Sequence, residues 1–136
     1  MINKLLFLTL ILTFISCNND RPLTEFDFSN IEKITITKKG YNEIPNLANR
    51  KVITDSIKIT NLINILNKSD QLTDGIISSN KGYIRLELQK INKEEITISN
   101  FYSNSNGQII ILEDAKGISR FRNDKFFEEV KFLLND

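Results

Sequence analysis

Polar and apolar side chains alternate most strictly along Tyr83-Ile84-Arg85-Leu86-Glu87-Leu88-Gln89-Lys90. Ile84, Leu86 and Leu88 fall on one side and Arg85, Glu87 and Gln89 on the other, which predicts a strand with one buried and one wet face. Ile96 and Ile98 alternate with Thr97 and Ser99 to about Tyr102, and Asn92-Lys93-Glu94 supplies the turn between the two strands. Ser103 to Gly107 reads as a further turn, its Asn-Gly step suited to positive φ. Gln108 to Leu112 is a more fully apolar strand, expected near the middle of a sheet, and Ile118 to Arg122 is another after the turn at 113–117. Upstream, the β-branched run ending Ile34-Thr35-Ile36-Thr37 predicts a strand over about 31–38, and Val52-Ile53 a short one after the loop at 40–50.

The period changes to that of a helix twice. Ile59, Leu62, Ile63 and Leu66 stand at i, i+3, i+4 and i+7 behind Asp55, whose carboxylate is placed to cap a helix over 56–67. Asn67 to Asp70 ends it, and a loop follows to Gly82. Phe126, Phe127, Val130, Leu133 and Leu134 form the apolar face of a second helix over 124–134, capped by Asn123 or Asp124. The order β-β-α-β-β-β-β-α predicts one α+β domain over 31–136. Its mainly antiparallel sheet has about five or six strands, with both helices on one face.

The amino terminus carries a different pattern. Lys4 and the α-amino group precede eleven uncharged residues, Leu5 to Ile15, in which only Thr9 and Thr13 are polar. As a helix this run would cover roughly half of a ~30 Å hydrocarbon core, too little to span it but suited to the apolar region of a signal peptide. It ends in Phe14-Ile15-Ser16-Cys17, which resembles the lipobox of bacterial lipoproteins, although Phe14 stands where Leu is usual. The resemblance covers the first 17 residues. It implies a diacylglyceryl thioether on Cys17, cleavage between Ser16 and Cys17, and acylation of the new amino group. It thus implies a cleaved segment 1–16 and a mature chain anchored through lipid, with no other cofactor. Asn18 rather than Asp after the cysteine implies the outer membrane. Residues 17–30 then read as a lipidated tether, polar and interrupted by Pro22, with Phe26 and Phe28 able to dock on the domain. The order of elements also resembles small lipoprotein domains on its Ile53-Thr54-Asp55 strand-to-helix step, a likeness that carries no activity.

Composition narrows the chemistry. The 136 residues include 18 Lys and Arg, 17 Asp and Glu, one Cys and no His. Loss of Lys4 with the signal would leave 17 basic and 17 acidic side chains, so no excess charge points to nucleic acid. Without His there is no His-based triad or His-ligated metal, and a single Cys forms no internal disulfide. The pairs Glu94-Glu95, Glu113-Asp114 and Glu128-Glu129 are adjacent, so their side chains diverge and read as solvated surface rather than acid–base dyads. Asp70 to Gly75 lacks the ligands of a calcium loop, with Leu72 third and Lys81 twelfth. Nucleotide-binding glycine motifs and nucleophile elbows are absent from the sequence.

Asp55-Ser56-Ile57 resembles a short O-glycosylation sequon, but helix capping accounts for it. The aromatics Tyr41, Tyr83, Phe101, Tyr102 and Phe121 could form an exposed patch, and Tyr83, Phe101 and Tyr102 are its candidate binding residues. The sequence therefore leads to a membrane-anchored lipoprotein with a non-catalytic domain that binds an envelope protein or glycan. A small carboxylate-dependent hydrolase or carbohydrate-active enzyme is the alternative.

Overall fold

The computed structural model describes residues 21–40, 48–72, 83–103 and 107–136, with the backbone alone at 101–103. Its seven strands are β1 (Ile31–Lys39), β2 (Arg50–Ile53), β3 (Asp70–Gln71), β4 (Tyr83–Lys90), β5 (Glu95–Ser103), β6 (Gly107–Asp114) and β7 (Gly117–Arg122). Helix α1 (Ser56–Leu66) lies between β2 and β3, and α2 (Asp124–Asn135) closes the chain. The strands form one antiparallel sheet in the order β2-β1-β4-β5-β6-β7-β3.

The α+β class and both helices agree with the periodicity; the strand number does not. There are seven strands instead of five or six. The addition is β3, in the stretch read as the end of a helix and a loop. Its two residues are polar and exposed, too few to show an alternation. They become a strand only because β7 leaves an edge where Asp70 meets Arg122 and Gln71 meets Phe121.

Alternation in β4 builds the core as expected. Ile84, Leu86 and Leu88 are fully buried, and the register sets them beside Ile34 and Ile36 of β1 and Ile96 and Ile98 of β5. Ile110, Leu112 and Phe121 continue the layer through β6 and β7. Ile59, Leu62 and Leu66 of α1 and Phe126, Val130 and Leu133 of α2 complete it from above. Ile109 is also fully buried but stands outside this cluster, on the strand face away from Ile110.

Each helix starts on the cap its sequence supplies. Asp55 Oδ1 accepts from the Ile57 and Lys58 amides at 2.8 and 3.2 Å. Asn123 accepts from the Phe126 amide at 3.0 Å, and its Nδ2 donates to the Ile65 carbonyl at 2.8 Å and Ser69 Oγ at 2.9 Å. One side chain thus starts α2 and ties down the carboxyl end of α1. Gly107 takes φ +73°, as the Asn-Gly step predicts.

Residues 21–30 pack onto the same core. Phe26 is buried, edge-on to Phe121 with ring centroids 6.3 Å apart, and Phe28 stacks on it at 6.4 Å. The antiparallel order sorts the connections by end. The β4–β5 turn at 91–94, the β6–β7 turn at 115–116 and the start of β1 share one end, the near end. The last residues of β1, β5 and β7 and the first of β2, β4 and β6 share the other.

Candidate functional site

The predicted lipid site, Ser16 and Cys17, lies outside the described residues, as does Tyr41. Of the predicted binding aromatics, Tyr83 is partly exposed at the start of β4, in register with Lys39. Phe101 and Tyr102 hold consecutive positions of β5 opposite Ile109 and Gln108, and their side chains lie outside the described part. Phe121 leaves the proposed patch altogether. It is fully buried against Phe26, because the odd–even phase of β7 turns it to the helix-covered face.

The face of the sheet turned away from the helices has its own order. One row across it reads Arg50, Thr37, Arg85, Ser99, Ile111 and Arg120. The next row toward the near end reads Val52, Thr35, Glu87, Thr97, Glu113 and Ile118. Arg85 Nε stands 3.1 Å from Glu87 Oε1, a same-face pair two residues along one strand. Val52 and Ile118 are exposed at the two margins of their row. Basic side chains spread over three separate strands therefore align only through the register.

The near end holds the most developed polar arrangement. The Arg21 guanidinium makes a two-point ion pair with Asp114, one contact through Nη1 and the other from Nη2 to Oδ2 at 3.1 Å. It also donates to the Glu25 carbonyl at 3.1 Å and lies 4.2 Å from the centre of the Phe26 ring. The Arg21 carbonyl accepts from Ser119 Oγ and from Gln71 Nε2. The hydrogen bond from Arg21 holds the Asp114 carboxyl below its usual range, and the same contact raises the guanidinium. Beside this clamp the largely buried Lys90 ammonium reaches Asp27 Oδ2 at 2.9 Å. Asp27 is held low as well, first by its hydrogen bonds from Ser29 and then by Lys90.

A cavity of about 290 Å³ opens between these pairs, lined by Glu25, Asp27, Lys90, Glu94, Glu95 and Asp114 among others. Adjacent acidic residues that diverge along the chain thus converge from three separate segments. The sequence reading missed this, because it turns on strand ends meeting at one end of a sheet. Arg21 four residues before Glu25 is the single local hint. Asp27, through its hydrogen bonds from Ser29 and then Lys90, and Asp114, through that from Arg21, are both held toward the carboxylate form, which suits them to holding positive groups and not to donating a proton. Among the described residues, no group of three or more Asp, Glu, Cys or His is placed to hold a metal ion. No family model, curated protein or solved structure matches the chain.

Proposed function

We propose that this chain is a lipid-anchored envelope lipoprotein, a non-catalytic binding domain held at the outer membrane through Cys17. One observation carries it: the chain's single cysteine stands directly behind an eleven-residue apolar run and Ser16, where lipoprotein maturation places its acyl acceptor. The two helices cover one face of the sheet, so the other, with Arg50, Arg85 and Tyr83, is the surface offered to an envelope protein or glycan. The alternative, a carboxylate-dependent hydrolase, draws on the acidic cavity at the near end. It needs one carboxyl kept protonated as general acid, and the hydrogen bonds that Asp27 accepts from Ser29 and Lys90, and Asp114 from Arg21, act against that.

Metabolic labelling with a fatty-acid analogue tests the anchor. Label is expected on the full chain and lost in Cys17→Ser; label that persists in the variant excludes Cys17 as the acceptor. Pull-down of envelope components by the lipidated chain, compared with an Arg50→Glu/Arg85→Glu variant, tests the open face. Equal recovery by both would place the contact elsewhere.

A further inference from the structure

We infer that the cavity between the start of β1 and helix α1 is a binding site for one uncharged sugar unit, a hexose or an N-acetylhexosamine. It lies on the helix-covered side of the sheet, separate from the open face, and it does not depend on the lipid anchor.

The cavity exists because β2 is shorter than β1. β2 pairs only with Ile34 to Thr37, so residues 31–33 have no strand beside them on that side among the described residues, and α1 stands over the gap. The volume is about 250 Å³. That is below the roughly 300–1,000 Å³ usual for drug-sized ligands, and suits one ring unit rather than an extended molecule. Phe28, Ile31, Ile59 and Ile63 make an apolar floor, with Ile59 buried and the others partly buried against the core. Asn30, Thr60 and Asn64 make an exposed rim. Ile59 with Ile63, and Thr60 with Asn64, are i,i+4 pairs, so neighbouring rows of α1 supply floor and rim.

The lining selects the ligand class. None of its side chains is charged, in a chain where 26% of residues are. Residues 27–30 keep it so: Asp27 turns to Lys90 and the acidic cavity, whereas Phe28 lines this one. An ionic ligand would give up hydration here without meeting a counter-charge, and a wholly apolar one would cover two carboxamides and a hydroxyl without pairing them. The side chains of Asn30, Thr60 and Asn64 make no hydrogen bond among the described residues, so their donors and acceptors are available. A pyranose ring has the matching layout. Its faces carry C–H groups that can lie on the floor, and hydroxyls around its edge both donate and accept.

The test uses the full chain in dodecylphosphocholine micelles, with saturation-transfer NMR on methyl β-glucoside, methyl β-N-acetylglucosaminide and methyl β-glucuronide. At least one of the two neutral sugars is expected to bind with a dissociation constant on the order of 1 mM, and the anionic glucuronide about tenfold more weakly. Thr60→Ala/Asn64→Ala removes two rim groups at exposed helical positions that alanine suits, and should weaken the neutral sugar about tenfold or more with circular dichroism unchanged. Asn61→Ala, exposed on the same helix outside the cavity, should bind as the unaltered chain does. Saturation of neither neutral sugar above that of glycerol overturns the site. Equal binding of the glucuronide overturns the uncharged ligand class. Binding that survives the double variant, or that Asn61→Ala weakens as much, overturns the location.

Discussion

Arg21 combines three kinds of contact in one planar group: a two-point ion pair with Asp114, a hydrogen bond to the Glu25 carbonyl and packing on the Phe26 ring. Lysine carries the charge but neither the fork nor the plane. Arg21→Ala should lower stability at pH 7 by about 2 kcal/mol, and Arg21→Lys should restore less than half of that, as read from urea unfolding. The pH dependence has a definite sign. Asp114 titrates lower in the folded state than in the unfolded chain, so its contribution is present above the unfolded carboxylate range, near 4, and disappears as pH falls through the folded value. The gap between the wild-type chain and Arg21→Ala should therefore narrow between pH 5 and pH 2; a constant gap would mean that packing on Phe26, not the ion pair, carries the effect. Gly117 belongs to the same contact. Its φ of +148° disfavours any side chain, and an added Cβ would lie 3.5 Å from Arg21 Cδ. Neither Arg21 nor Gly117 could be recognised as a clamp from the sequence, since the acidic partner is 93 residues away along the chain.

At the scale of elements, the two helix caps look alike in sequence and differ in the fold. Asp55 caps α1 by accepting from two amides of its first turn. Asn123 caps α2 and also donates to Ile65 and Ser69 at the end of α1. Asp55→Ala should cost about 1 kcal/mol, the usual worth of a cap, and Asn123→Ala about 2 kcal/mol, because the Ile65 carbonyl and Ser69 hydroxyl also lose a partly buried partner. Equal losses in denaturant unfolding would show that the link between the helices contributes nothing. Both caps, both helices and six of the strands were legible because each rests on a local period or a local hydrogen bond. β3 was not, because a two-residue strand has no period and exists only through the edge of β7. Phe121 was misplaced for a related reason. Its strand is short, and the neighbour that covers it, Phe26, comes from a segment that reads as polar tether.

For the whole molecule, Phe26 decides how the amino-terminal segment relates to the domain. It is buried in the common core, whereas Phe28 packs on the core's margin. Phe26→Ala should cost about 3–5 kcal/mol and Phe28→Ala clearly less, measured by thermal or urea unfolding. Similar small losses in both would mean that residues 21–30 rest on the surface without sharing the core. The sheet as a whole also separates charge. The acidic cavity gathers at the near end, and the arginine row crosses the open face toward the other. By itself the sequence determined both helices and six of the strands, which of their faces are apolar, and where a stretch resembling a lipobox stands, because periodicity, capping and motif spacing are properties of neighbouring residues. Tertiary structure alone decided which strands lie side by side, and with that the seventh strand, the arginine row, the converging carboxylates and the Arg21–Asp114 clamp. Each of these joins residues distant in the chain, and strand register, unlike period, is set only when one face of the sheet is buried against the helices.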